Sequence, residues 1–149
     1  MKAKYKHTNI VSRDWRALAR FYENVFGCIL VPPERNLAGE WLEEGTGVKN
    51  ARFKGAHLRL PGYGENGPTL EIYQYHRNEP RAATAANREG IMHLAFEVDD
   101  VEQAAAEVLK NGGSKVGDIA SSEVKGVGLL AFVYIADPEG NIIELQAWK

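Results

Sequence analysis

Four residues of metal-binding type stand at matching places in the two halves of the chain. His7 precedes Asp14 by seven residues and Gly27 by twenty, and His93 precedes Asp100 and Gly113 by the same intervals, 86 residues on. Near the end of each half, Gly67 lies four residues before Glu71, and Gly140 lies four before Glu144. If the halves are related by a pseudo-twofold, each supplies one imidazole and one carboxylate. Such a donor set suits one divalent cation, whether Ni, Co, Zn, Mn or Fe. Four protein ligands leave two positions of an octahedron for water and substrate, and an open position marks a catalytic site.

Alternation along the strands supports this placement. His7, Asn9 and Val11 share one face of a short strand, and Ile142, Glu144, Gln146 and Trp148 share one face of another. Glu144 lies between Ile143 and Leu145, and Glu71 between Leu70 and Ile72. A carboxylate buried there without a partner would be costly, and a cation answers both cases. Taken singly, a strand His is more often a hydrogen-bonded core or surface residue, and a strand Glu more often faces water. The repeat is what couples the four. His57 and His76 have no such counterpart. His57 is expected on the sheet face and His76 in solvent at a strand end.

The elements that must position these residues follow from turn and cap signals. Tyr5 to Val11 reads as a strand. Asp14 caps a helix with Trp15, Leu18, Tyr22 and Phe26 near one face, and Gly27 ends it. Cys28 to Val31 is a short strand closed by Pro32 and Pro33, and Leu37 to Gly47 a short helix or a lid. Ala51 to Leu60 and Thr69 to Tyr75 are strands. His76 to Glu89 is a polar connection, with a helical turn available to Pro80–Asn87. In the second half Ile91 to Val98 is a strand. Asp100 and Gln103 open a helix that Gly112 and Gly113 stop. Lys115 to Ile119 is expected as a strand, Ser121 to Gly128 as a loop, and Leu129 to Ala136 and Ile142 to Trp148 as the final strands. The order β-α-β-β-β therefore occurs twice. The expected fold is α+β, two tandem β-α-β-β-β modules forming a cupped mixed sheet with helices on the outer face. The modules span about residues 4–76 and 90–149, joined by 77–89, within a single domain 1–149.

Composition narrows the function classes. A chain of 149 residues with 44% hydrophobic and 26% charged residues can bury a core, which argues against disorder. A net charge of −2 leaves no excess cation for sequence-independent nucleic-acid binding. No apolar run reaches membrane length and no signal-peptide core follows Met1. Cys28 is the single cysteine, so disulfides and thiolate zinc clusters are excluded, and a cytoplasmic setting is expected. It is read as a buried small residue and not as a nucleophile. Gly62-x-Gly64-x-x-Gly67 matches a dinucleotide fingerprint, but a strand and not a helix follows it, so it is read as a hairpin loop. Arg52, Lys54, Arg59, Arg88 and Lys125 read as scattered surface charge, any of which is also a candidate to hold a substrate anion.

The paired units, His7 and His93 near their starts, the turn Asp137-Pro138-Glu139-Gly140-Asn141 and Glu144 resemble the vicinal oxygen chelate superfamily. That superfamily contains glyoxalase I, methylmalonyl-CoA epimerase, extradiol dioxygenases and fosfomycin and bleomycin resistance proteins. The resemblance spans Tyr5 to Trp148 and implies a metal held by His7, Glu71, His93 and Glu144. His-Glu-His-Glu resembles the ligand set of glyoxalase I. Epimerases commonly carry Gln at the Glu71 place, extradiol dioxygenases use two His and one Glu, and bleomycin-binding members lack the ligands. The implied activity is that of a metal-dependent lyase or isomerase moving a proton on a small bidentate carbonyl or thioester. Glu144 or Glu71 would serve as base. Epimerase-like chemistry would want a separate base, for which Glu43 or Glu44 is the candidate against a solvated helix face. Asn9, Arg59 and Tyr73 are expected to line the substrate pocket. Epimerisation of an acyl-CoA, an extradiol dioxygenase reaction and a non-enzymatic small-molecule binding or resistance protein are the alternatives. The implied partners are a small substrate, such as a glutathione or CoA adduct, and a second copy in a homodimer, with no nucleic acid and no membrane.

Overall fold

The computed structural model describes residues 1–149. Asp14 starts the first helix as its type demands, its carboxylate accepting from the backbone N–H groups of Arg16 and Ala17. Gly27, at φ 66°, closes that helix in the left-handed region, where a side chain would be strained. Around it lie β1 (His7–Val11), α1 (Trp15–Phe26), β2 (Ile29–Ala38), α2 (Glu40–Thr46), β3 (Arg52–Arg59) and β4 (Thr69–Tyr75). Their sheet runs β1-β4-β3-β2, with β1 parallel to β4 and the other pairs antiparallel. Alternation puts Ala56, Leu58, Leu70 and Ile72 on the face that α1 covers. There they bury with Leu18, Ala19 and Tyr22. Each large aliphatic chain sealed in this way contributes roughly 1.5–3 kcal/mol. This unit comprises Met1–Pro80.

Residues Arg81–Lys149 form the second unit. It contains β5 (His93–Glu97), α3 (Val101–Lys110), β6 (Ser114–Lys115), β7 (Ala120–Val124), β8 (Gly128–Ala136) and β9 (Ile142–Trp148). Asp100 caps α3 by accepting from the N–H of Gln103. The sheet order is β5-β9-β8-β6, with β5 parallel to β9 and β7 also paired to β8. Val108 of α3 is buried, as are Val133, Ile135, Ile143 and Leu145 of the two strands it lies against. The predicted turn is a built one. Asp137 is buried and its carboxylate accepts from the N–H groups of Glu139 and Asn141 and from the Asn141 amide.

The α+β class and the paired β-α starts agree with the sequence reading, while several boundaries differ. The strand after α1 does not stop at Pro32-Pro33 but continues to Ala38. β2 is an edge strand, where a missing N–H removes no necessary ladder bond, and the register simply shifts between Val31 and Arg35. Leu37–Gly47 resolves into the end of β2 and the short helix α2. The strand expected at Lys115–Ile119 shrinks to Ser114–Lys115, and the loop expected at Ser121–Gly128 is largely β7. Together β6 and β7 line the edge of β8 as β2 lines β3. Between them the N–H groups of Val116 and Gly117 both reach the carbonyl of Tyr134. Residues 80–87 contain no helix. No helix is long and apolar enough to cross a membrane.

Candidate functional site

The face of the first sheet turned away from α1 collects the polar residues. β1 contributes His7 and Asn9, β4 contributes Thr69, Glu71 and Tyr73, and β3 contributes Phe53, Gly55, His57 and Arg59. Glu71 is the centre. Its Oε2 lies 3.3 Å from His7 Nε2 and accepts from Asn9 Nδ2 at 3.2 Å. Its Oε1 lies 2.8 Å from His57 Nε2 and accepts from the Tyr73 hydroxyl at 3.4 Å. A buried carboxylate, its side chain 10% exposed, thus has both oxygens engaged.

Tyr73 reaches that position because residue 55 is glycine. A Cβ there would sit 2.0 Å from the carbonyl oxygen of Ile72 and 2.3 Å from the Tyr73 ring. The ring instead lies over the bare backbone and stacks on Phe53 with centroids 4.4 Å apart. Leu42 of α2 and Ala51 complete this apolar floor. Burial first, and then the charge of Glu71, push the Tyr73 phenol up to about 12, so it stays a proton donor at neutral pH. Burial likewise lowers His57 from the ordinary imidazole value. Glu71 pulls it back upward, and Arg35 and His7 add to the lowering. Thr69 Oγ1 stands 3.1 Å from His57 Nδ1.

The second unit carries the same pair in the same relation. His93 Nε2 lies 2.9 Å from Glu144 Oε2, with the Glu144 side chain 15% exposed. His7 pairs in register with Thr69 and Asn9 with Glu71, while His93 pairs with Ile142 and Ala95 with Glu144. Here Tyr134 occupies the place that His57 takes beside Glu71, and its ring lies 5.2 Å from that of His93.

These pairs fit a divalent cation in donor type and spacing. Two ligands each roughly 2.0–2.2 Å from one ion and at right angles stand about 3 Å apart. The 3.3 and 2.9 Å separations are of that size. No group of three or more His, Cys, Asp or Glu side chains stands in a metal-holding arrangement.

The other candidates separate cleanly. Asn9 and Tyr73 join the Glu71 cluster. Arg59 is on the same face as His57, with its Nε buried and unpartnered and its Nη1 only 3.8 Å from the exposed Glu65. Glu44 is exposed on α2 and outside the cluster, and Glu43 on the same helix is half-buried. Lys54 alternates onto the α1 side of β3, Arg52 and His76 are exposed, and Arg88 donates to the carbonyl of Ala83. Gly62–Gly67 forms the loop between β3 and β4. Cys28 is buried, which pushes its thiol up to about 12 and leaves it an inert packing residue. Sequence reasoning missed the bonds from His57 and Thr69. Alternation places His57 on this face, but only the register of β3 on β4 sets it opposite Glu71.

Comparison with known proteins agrees with this architecture. The chain is similar to a glyoxalase-family protein from Bacillus cereus, with 20% identity, a TM-score of 0.75 and coverage of 99% of this chain and 94% of that one. It is also similar to a glyoxalase/bleomycin resistance protein/dioxygenase family enzyme from Burkholderia phytofirmans, with 17% identity, a TM-score of 0.61 and coverage of 99% and 100%. A glyoxalase-family protein from Enterococcus faecalis aligns at 21% identity and a TM-score of 0.59, covering 96% of each chain. No curated protein matches the chain in sequence. The family profile for Glyoxalase/Bleomycin resistance protein/Dioxygenase matches residues 4–145, so the chain belongs to that superfamily.

Proposed function

We propose that this protein is a metal-dependent lyase or isomerase of the glyoxalase I type, moving a proton on a small substrate with adjacent oxygens. A glutathione or CoA adduct is the substrate class. The observation that carries the reading is the recurrence of one His–Glu pair per unit at equivalent sheet positions, His7 with Glu71 and His93 with Glu144. These four side chains are the proposed ligands. A bound divalent cation supplies Lewis acidity toward the negative charge that develops on the substrate oxygens. The chain's own residues do the rest. Glu71 has both oxygens engaged and is held in place. Glu144, whose polar partner is His93, is the carboxylate with freedom to take a proton from carbon and return it. Tyr73 and Asn9 hold the polar floor beside Glu71.

The test is to strip the purified protein of metal and titrate it with Ni, Co and Zn. Turnover of the hemithioacetal of methylglyoxal and glutathione is then followed, with deuterium exchange into methylmalonyl-CoA as the competing assay. Metal-dependent turnover of the hemithioacetal is expected, and His93→Ala should lower metal content. Unchanged metal content in that variant would sink the ligand assignment. A loaded protein that turns over neither compound would overturn the glyoxalase I reading and the epimerase reading together.

A further inference from the structure

The two His–Glu pairs are alike, but their surroundings are not. Beside Glu71, the register partner on β3 is His57, and the residue opposite His7 is Thr69. In the second unit those places hold Tyr134 and Ile142, and Ala95 stands where Asn9 stands in the first. Ile142 and Ala95 have no side-chain hydrogen bond to give. The connected network of Thr69, His57, Tyr73 and Asn9 is therefore a property of the first unit and not of the fold.

The network also divides the two oxygens of Glu71. Oε1 faces His57 and Tyr73, and Oε2 faces His7 and Asn9. His57 Nε2 lies 2.8 Å from Oε1 and 3.2 Å from the Tyr73 hydroxyl, and in the tautomer with its hydrogen on Nε2 the ring donates toward Oε1, because a carboxylate only accepts. The Thr69 hydroxyl at Nδ1 fixes the other edge of the ring. With Oε1 tied back to β3, rotation about the last side-chain bond is blocked and Oε2 stays directed at His7.

We propose that His57, backed by Thr69, is a positioning residue that holds the Glu71 carboxylate in its ligand orientation. Its role is exercised through Glu71, the carboxylate it contacts. The inference rests on the metal reading given above. Outer partners of this kind typically change metal affinity by ~10–100-fold when removed.

Cobalt(II) binding to the metal-free full-length protein, by calorimetry and visible absorption, tests it. His57→Ala is expected to weaken cobalt binding by ~10–100-fold. Thr69→Val should weaken it by less, and His57→Gln, which keeps an N–H donor, should recover part of the loss. Thermal unfolding of each metal-free variant checks that it folds, and if His57→Ala does not, the Gln and Val variants carry the measurement. Folded variants that bind cobalt as tightly as the wild type would overturn the proposal. So would the loss of one nitrogen ligand from the cobalt spectrum of His57→Ala, because His57 would then be a ligand itself. A wild-type protein that binds no cobalt overturns the metal reading instead, and with it this one.

Discussion

His93 and Glu144 meet across a diagonal. His93 stands in register with Ile142 and Glu144 with Ala95, yet Nε2 and Oε2 approach to 2.9 Å. His7 and Glu71 meet across the same diagonal, at 3.3 Å. Equivalent placement predicts equivalent loss. His7→Ala and His93→Ala should each lower bound metal to a similar extent, and the double variant should be little worse than either single one. Elemental analysis after equilibrium dialysis checks this, and a large difference between the single variants would refute it.

Gly55→Ala should destabilise the protein. The new methyl would fall 2.0 Å from the backbone oxygen of Ile72 and 2.3 Å from the Tyr73 ring, and backbone cannot yield as a side-chain end can. Overpacking of this kind costs roughly 1–3 kcal/mol. Urea unfolding should show a lowered midpoint, and near-ultraviolet circular dichroism should report a displaced Tyr73.

Asp137 gathers three donors in the turn before β9. Asp137→Ala leaves them without an acceptor in a buried place, and each unpaired donor costs about 1–3 kcal/mol. A loss near 3 kcal/mol is expected in urea unfolding. Asp137→Asn, which keeps one acceptor oxygen, should lose less. Equal losses would mean that the turn does not depend on those bonds.

Tyr73 predicts a pH dependence with a definite sign. Its phenol is pushed up to about 12 in the folded chain, whereas an unperturbed tyrosine ionises near 10. The folded state therefore keeps its proton longer than the unfolded state. The linked stability is intact below roughly pH 10 and is lost as pH rises toward 12. The difference in absorbance at about 295 nm between wild type and Tyr73→Phe should show a phenolate step near the upper value. A step near the ordinary tyrosine value would mean that the ring is not buried against Glu71.

The sequence was most readable where a local rule acts. Asp14 and Asp100 announced both long helices, and Gly27 closed the first, because caps need nothing beyond their neighbours. The spacing of His7, Glu71, His93 and Glu144 singled out the four residues as one ligand set, whereas their contacts in two pairs come from the pairing of β1 with β4 and of β5 with β9. Edge strands were the weak point. Ser121, Ser122 and Glu123 are exposed along β7, so no apolar alternation marks them, and only backbone bonds to β8 make them a strand. Pro32-Pro33 read as a stop because the edge position of β2 is a tertiary fact. His57 was hidden for a related reason. Its partners Glu71 and Thr69 lie across a strand pairing whose register no local pattern encodes.

The short helix α2 also bounds what the first unit can accept. Leu42 sits over Phe53 and Tyr73, at the end of the sheet face where Phe53 pairs with Tyr75. From there the rows run to Gly55–Tyr73, to His57–Glu71 and to Arg59–Thr69. On the Phe53 side of Glu71 the face is filled by the packed side chains of Leu42, Phe53 and Tyr73. The opposite end of the face is marked by Thr69 and the half-buried guanidinium of Arg59. α2 thus closes one end of this sheet face with packed apolar side chains, so the two ends of the Glu71 row differ in kind, one sealed and greasy and the other positively charged.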